Sequence, residues 1–133
     1  MQASFFSDAI LAAAASLGPR CAPATNTTGQ AIPDQGEITS AVTVDCSGNA
    51  STQTKVEVNI THPYRGDLIL DLVAPDGTSY RLKSAKGDDG VDNVNDQYTV
   101  NAASETAGGE WTLRVRDVFH GDTGTLKNWK LTV

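Results

Sequence analysis

From residue 31 to the C-terminus, apolar and polar residues alternate with a period of two, which is typical of β-strands with one buried face. In the run KVEVNI, for example, Val56, Val58 and Ile60 share one face. The runs end at turn-forming residues such as Pro75-Asp76-Gly77. Seven or eight short strands without helical windows between them predict an antiparallel β-sandwich. Its predicted inward positions are Ile38, Ser40, Val42, Val44, Val56, Val58, Ile60, Leu68, Leu70, Leu72, Tyr80, Leu82, Val100, Trp111, Leu113, Val115, Trp129, Leu131 and Val133.

The first 30 residues follow a different pattern. Residues 1–20 carry apolar side chains at helical spacing and end in Gly18-Pro19, which predicts one short amphipathic helix. A signal peptide fits less well, because the segment lacks a positive start and contains Asp8. Residues 21–30 are small and polar and predict a linker, so the β-domain is expected to cover residues 31–133. The helical positions are Phe6, Ile10, Ala13, Ala14 and Leu17.

Composition and charge exclude some classes of protein. The formal net charge is −6 and the pI is about 4.6, which argues against nucleic-acid binding because that needs a basic surface. No apolar run approaches the length of a membrane span. With 39% hydrophobic and 20% charged residues, the chain has the composition of a globular protein.

Two cysteines occur, Cys21 and Cys46, and they form no C-x-x-C pair, which argues against a zinc site. They are expected either to form a disulfide or to remain as two free thiols. The even number of cysteines, the few lysines and the many Thr, Ser, Asn and Gly residues favour a secreted protein.

The sequence lacks the usual signatures of catalysis. It contains two histidines, His62 and His120, and neither a G-x-S-x-G nor an H-E-x-x-H motif. The chain by itself is therefore predicted not to be an enzyme.

The segment GDDGVDNVNDQY concentrates side-chain oxygens, which are the ligands that calcium prefers. Its spacing is not that of an EF-hand, so the alternative is a solvated acidic loop. The predicted calcium ligands are Asp88, Asp89, Asp92, Asn93 and Asp96. A second group of carboxylates stands at predicted strand ends, and the sequence does not establish whether they meet: Asp34, Asp67, Asp117 and Asp122.

Three further motifs occur in order between residues 31 and 133: Ile-Pro-Asp, His-x-Tyr-x-Gly-Asp-Leu, and Gly-x-Trp-x-Leu-x-Val followed by Asp-Thr-Gly-x-Leu-x-x-Trp-x-Leu. With these motifs the chain resembles the P domain (Homo B domain) of proprotein convertases and secreted bacterial peptidases. The resemblance implies a jelly-roll sandwich of about eight strands that follows a peptidase catalytic domain. It also implies a non-catalytic role in stabilising that partner, sometimes with help in folding or in handling protein substrates, and often with bound calcium.

The resemblance leaves the class of the parent endopeptidase open between a subtilisin/kexin-like serine peptidase and a metallopeptidase. Residues 1–20 are then either the closing helix of a preceding catalytic domain or an independent helix. Proteolysis by the parent, outside the cell, is the expected setting.

The tripeptide Arg65-Gly66-Asp67 allows two interpretations, an adhesion signal or a tight turn that opens a strand. The turn is favoured, because an apolar strand begins directly after Asp67 and adhesion requires a protruding loop tip. A carbohydrate-binding module is the other alternative. It is disfavoured because Trp111 and Trp129 share the phase of apolar residues and should be buried, whereas sugar platforms need exposed aromatic rings.

Overall fold

The computed structural model describes residues 21–133. The helix predicted for residues 1–20, and with it the question of a preceding catalytic domain, lies outside the described residues. The described part contains nine strands and one short 3-10 turn, Arg65–Asp67. The strands are β1 (Ala24–Asn26), β2 (Gln30–Ile32), β3 (Glu37–Val44), β4 (Thr54–Thr61), β5 (Leu68–Val73), β6 (Ser79–Lys83), β7 (Val94–Val100), β8 (Gly109–Asp117) and β9 (Gly124–Thr132).

The strands form two antiparallel sheets. The first has the order β1-β9-β4-β7, with β2 also paired to β9, and the second has the order β3-β8-β5-β6. All the pairings are antiparallel. The predicted all-β sandwich is therefore confirmed.

The apolar core lies between the two sheets, and the alternation of the sequence identified its main members. Trp111 is 0% exposed and Trp129 is 1% exposed. Each indole N–H has a buried partner: that of Trp111 donates to the carbonyl of Ala107, and that of Trp129 donates to Oγ of Ser40, both at 2.9 Å. Both tryptophans are thus core residues, as predicted, and neither offers a surface on which a sugar could stack.

The prediction of a linker over residues 21–30 is wrong, because this segment contains strand residues. Within it, β1 pairs with β9 through Ala24 and Leu131, and the following strand β2 begins at Gln30. The side chain of Asn26 also donates to the carbonyl of Ala41 in the other sheet at 2.8 Å. Strands of three residues are too short to show an alternation, and backbone hydrogen bonds to β9 hold them in place. The sandwich therefore begins at Ala24.

A disulfide joins Cys21 to Cys46, directly after β3. The bridged residues are 25 positions apart in the sequence. In the chain-entropy model, a loop of this length stabilises the fold by about 3 kcal/mol. The bridge therefore links the segment before β1 covalently to the segment after β3. Within residues 21–133, no helix is both long and apolar enough to cross a membrane.

Candidate functional site

The Arg-Gly-Asp tripeptide forms the 3-10 turn that leads into β5. The backbone of this turn is hydrogen-bonded to residues 84–93, which connect β6 to β7 and are called the acidic loop below. Gly66 N donates to the carbonyl of Asp89 at 3.0 Å, and Lys86 N donates to the carbonyl of Gly66 at 2.8 Å. A Cβ atom on Gly66 would lie 2.1 Å from the carbonyl oxygen of Lys86, so only glycine allows this close approach.

The side chains of the turn also interact within the protein, although Arg65 keeps 34% of its side-chain surface exposed. Arg65 Nε donates to Asp89 Oδ2 at 2.8 Å, and this hydrogen bond is the main cause that lowers the pKa of Asp89. Gly66 and Asp67 are buried. An adhesion signal needs an accessible arginine and aspartate on a protruding tip, and the structure instead places the tripeptide in a corner of the fold.

Three buried polar side chains meet behind this turn. His62 follows β4, Asp67 ends the turn, and Asp117 is the last residue of β8. Their exposed fractions are 2%, 4% and 2%, and one ligand atom of each lies within 4.8 Å of the others. Pairing between β5 and β8 brings two of them together, since Leu68 lies opposite Asp117. We call His62, Asp67 and Asp117 the polar cluster.

The hydrogen bonds of His62 define its protonation. Nδ1 accepts the backbone N–H of Tyr64 at 3.0 Å, so it carries no proton. The imidazole is therefore neutral with its proton on Nε2, and this N–H donates to Asp117 Oδ2 at 2.9 Å. The other oxygen of Asp117 accepts the backbone N–H of Phe119 at 3.3 Å. Asp117 thus has donors for both of its oxygens.

Asp67 has no such partners. Among residues 21–133, no group donates a hydrogen bond to its carboxylate, and burial raises the pKa of Asp67. The neighbouring carboxylate of Asp117 raises this pKa further, and Asp122 and Asp34 add smaller increases. Asp34 is held at the same end of the sandwich by the backbone N–H of Gly121 at 3.0 Å. Asp34, Asp117 and Asp122 therefore all act on the pKa of Asp67, at one end of the fold.

The side-chain oxygens of the acidic loop do not lie together as the polar side chains of the polar cluster do. Asp89 binds Arg65, while Asp88 is 80% exposed beside Lys86 at 3.3 Å. The Oδ1 atom of Asn93 accepts the backbone N–H of His62 at 2.9 Å. The other two predicted ligands, Asp92 and Asp96, are exposed. Asp96 does not belong to the loop, because β7 begins at Val94 and extends further towards the N-terminus than the sequence suggested. Within the described residues, the three-residue group with metal-ligand spacing is the polar cluster.

Comparison with known proteins identifies the family of this chain. The family description "Proprotein convertase P-domain" matches residues 51–133. This chain belongs to that family. The resemblance found in the sequence motifs is confirmed, and the chain is called the P domain below.

Similar proteins include the transglutaminase-activating metalloprotease of Streptomyces mobaraensis, 52% identical over 80% of this chain and 14% of that protein. Leupeptin-inactivating enzyme 1 of Streptomyces exfoliatus is 49% identical over 80% of this chain and 25% of that protein. The P domain thus spans a quarter or less of these relatives. The crystal structure of a serine protease of Aeromonas sobria has a similar fold, with a TM-score of 0.62 and 19% identity over 83% of this chain and 26% of that chain.

One group of charges in the P domain was not predicted from the sequence. Asp71 occupies an outward phase of β5, yet its side chain is only 3% exposed. Arg81 Nε donates to Asp71 Oδ1 at 2.6 Å, and an amino group of Arg114 donates to Asp71 Oδ2 at 3.2 Å. A guanidinium nitrogen of Arg116 lies 3.8 Å from the same carboxylate. Three arginines across neighbouring strands could have signalled this arrangement, because an aspartate between them gains charged partners that compensate for its burial.

Proposed function

We propose that this P domain is a non-catalytic part of a secreted endopeptidase and that it stabilises the catalytic domain of the same polypeptide. The observation that carries this proposal is the similarity to the P-domain segment of much longer proteins that are named as proteases. A domain that recurs within proteases, and whose residues 21–133 assemble no catalytic geometry, contributes to the parent by packing against the rest of that protein.

The arrangement of the histidines supports the non-catalytic role. Both ring nitrogens of His62 are already hydrogen-bonded, to Tyr64 and Asp117, so the ring has no free nitrogen to activate a nucleophile. His120 is 85% exposed and pairs with Asp34 at 3.2 Å. Both cysteines are joined in the disulfide. Within residues 21–133, therefore, no nucleophile–base pair is assembled.

We expect no peptide hydrolysis by the purified P domain. The measurement is turnover of a broad panel of fluorogenic peptides, with the His62→Ala variant as the matched control for contaminating peptidase. Equal background rates for both samples would agree with the proposal. Turnover by the P domain that disappears in His62→Ala, while a folded far-UV spectrum is retained, would contradict it.

The exposed apolar residues indicate where the catalytic domain would pack. Val91, Val118 and Phe119 are the large apolar side chains with the greatest exposure in the described residues, at 56%, 37% and 43%. Two of them flank the 3-10 turn directly: Arg65 N donates to the carbonyl of Val91, and Val118 N donates to the carbonyl of Asp67. An apolar surface concentrated at one end of a sandwich is typical of an interaction site.

In this proposal, the class of the parent peptidase is inferred from the sequence identity of this chain to relatives of each class. Identity to the metalloprotease of Streptomyces mobaraensis is 52%, against 36% over 57% of this chain for proprotein convertase subtilisin/kexin type 6 of Rattus norvegicus. A metallopeptidase parent is therefore favoured over a serine peptidase of the subtilisin/kexin type. The disulfide agrees with an extracellular location, since such bonds persist in oxidising surroundings. A relative named extracellular basic protease, of Dichelobacter nodosus, is 31% identical.

A further inference from the structure

We propose that the outer face of the second sheet binds an acidic segment of a separate protein, and that Arg81, Arg114 and Arg116 contact the carboxylates of that segment. These three side chains, which lie on neighbouring strands around Asp71, are called the arginine face. The proposal goes beyond the stabilising role proposed above and does not depend on it.

The first argument is an excess of positive charge on this face. The three guanidiniums converge on one buried carboxylate, that of Asp71, at 2.6, 3.2 and 3.8 Å. Glu37 lies opposite Arg116 in the strand pairing, but the two form no ion pair in the described structure. Even when Glu37 is counted, one of the three guanidiniums has no counter-charge. In a chain with a formal net charge of −6, this local excess favours an anionic partner.

The second argument is that the guanidiniums are accessible and retain unused donors. The side chains of Arg81, Arg114 and Arg116 are 48%, 31% and 36% exposed. Within residues 21–133, the buried Nε atoms of Arg114 and Arg116 have no hydrogen-bond partner. Buried N–H groups normally have an acceptor, so the hydrogen bonding of these two side chains is incomplete. A guanidinium carries five N–H donors, and each of the two therefore has donors left for a second carboxylate.

Asp71 holds the arginine face in a fixed arrangement. Its carboxylate accepts hydrogen bonds from Arg81 Nε and from an amino group of Arg114. Arg114 also donates to Oγ of Ser79, and Arg81 donates to Oγ of Ser84, both at 3.3 Å. A side chain that is already fixed loses less conformational freedom when a partner binds, so this arrangement favours affinity.

The surroundings of the arginine face favour a polypeptide over a phosphate group or a sulfated sugar. Ile69 and Val73 share the outward phase of β5 with Asp71, and both are half-buried. Apolar surface beside arginine is typical of protein–protein interfaces, in which arginine is enriched. Among the described strands, β6 pairs with β5 alone and forms an edge of the second sheet. An extended peptide can therefore hydrogen-bond along β6 while one of its acidic side chains reaches Arg81.

The arginine face uses different residues from the surface proposed for the catalytic domain. Val91 precedes β7, and Val118 and Phe119 follow β8, so these side chains lie in loops at the end of the sandwich. The arginines project from strands β6 and β8 on the side of the sheet. The acidic segment is therefore assigned to a separate protein rather than to the parent.

The test is binding of a dye-labelled peptide of alternating glutamate and serine, blocked at both ends, to the complete chain. Fluorescence anisotropy at low ionic strength measures the affinity. We expect Arg116→Gln to weaken binding about threefold and the double variant Arg114→Gln/Arg116→Gln to weaken it about tenfold. Added salt should weaken binding to the native chain, because it screens exposed charges. A peptide with glutamine in place of glutamate should not bind.

Lys130→Gln is the matched control for Arg116→Gln. It removes the same charge from a side chain of similar exposure, 43% against 36%, which also has a carboxylate partner at 3.8 Å. Lys130 lies on β9 in the other sheet, so its replacement should leave the affinity unchanged. Melting curves establish that each variant folds. If the double variant does not fold, Arg116→Gln decides alone, because Arg116 forms no side-chain hydrogen bond within residues 21–133 and its loss should leave the fold intact.

Several results would overturn the proposal. No binding at low ionic strength, equal losses in Arg116→Gln and Lys130→Gln, or equal binding of the glutamine peptide would each show that the arginine face recognises no acidic segment. Tighter binding of a sulfated oligosaccharide that the double variant abolishes would assign the face to a sugar. Dimerisation that the double variant abolishes would assign it to a second copy of the chain. Peptide binding that is lost in the parent protein would assign it to the catalytic domain.

Nuclear magnetic resonance of the arginine side chains provides a readout beyond affinity. The Nε–H resonances of Arg114 and Arg116 should shift when the glutamate peptide is added, because their guanidiniums gain a carboxylate partner. The Nε–H resonance of Arg65 should stay in place, because this group is bound to Asp89 on the 3-10 turn. Equal shifts at all three positions would indicate non-specific association and would contradict the proposal.

Discussion

Replacing Trp111 or Trp129 by alanine is expected to lower the free energy of unfolding by roughly 3–5 kcal/mol. Both side chains are essentially inaccessible, at 0% and 1% exposure, so truncation removes a large buried surface and leaves a cavity. Each replacement also leaves a buried hydrogen-bond acceptor without its donor. The carbonyl of Ala107 loses the indole N–H of Trp111, and Oγ of Ser40 loses that of Trp129.

Urea unfolding followed by far-UV circular dichroism measures these losses. Phe119→Ala is the matched control, because Phe119 is also aromatic but is 43% exposed, and its replacement should change stability by about 0.5 kcal/mol or less. Losses below about 1 kcal/mol at both tryptophans would contradict their place in the core. Red-shifted native emission that responds to soluble polysaccharide would instead support a carbohydrate-binding module.

Gly66→Ala is expected to cost about 3 kcal/mol, at the upper end of the range for overpacked positions. A Cβ atom at this position would lie 2.1 Å from the carbonyl oxygen of Lys86 and 2.6 Å from that of Asp89. Both obstacles are backbone atoms, so the acidic loop has to move away from the 3-10 turn. That movement breaks the hydrogen bonds from Gly66 N to Asp89 and from Lys86 N to Gly66.

Gly29→Ala provides the matched control for this change. Its new Cβ would meet only the carbonyl oxygen of Leu126, at an ordinary 3.8 Å, so its stability should stay within about 0.5 kcal/mol of the native value. Thermal melting gives the comparison, and attachment of integrin-bearing cells is recorded on the same samples. Unchanged melting of Gly66→Ala combined with lost cell attachment would show that the tripeptide is an adhesion signal after all.

The sequence predicted the central strands because their side chains are sorted by burial. In β4 and β8, alternation separates Val56, Val58, Trp111 and Leu113 from charged neighbours, and the hydrophobic effect then decides which face turns inward. The edge strands β1 and β2 carry no such signal. They are held by backbone pairing to β9 and by burial of Ile32 at the end of β2.

The polar residues were harder to predict, because their environment depends on distant partners. Asp67 and Asp117 are 50 positions apart in the sequence numbering, and pairing of β5 with β8 brings them together. The acidic loop contains the greater density of carboxylates, and the metal site was therefore predicted there. Its side-chain oxygens bind separate partners: Asp89 binds Arg65, Asp88 lies beside Lys86, and Asn93 accepts the backbone N–H of His62. No one of these partners is adjacent in the sequence to all three loop residues, so the separation could not be predicted.

The most direct measurement of the domain's role is the half-life of peptidase activity at elevated temperature, for the parent protein with and without its P domain. Packing of the exposed Val91, Val118 and Phe119 surface against the catalytic domain predicts a half-life that is several-fold shorter after deletion. Charged substitutions at Val118 and Phe119 in the intact protein should shorten it in the same direction, while the P domain itself still melts cooperatively. Equal half-lives for the intact, deleted and substituted proteins would contradict a stabilising role for the P domain.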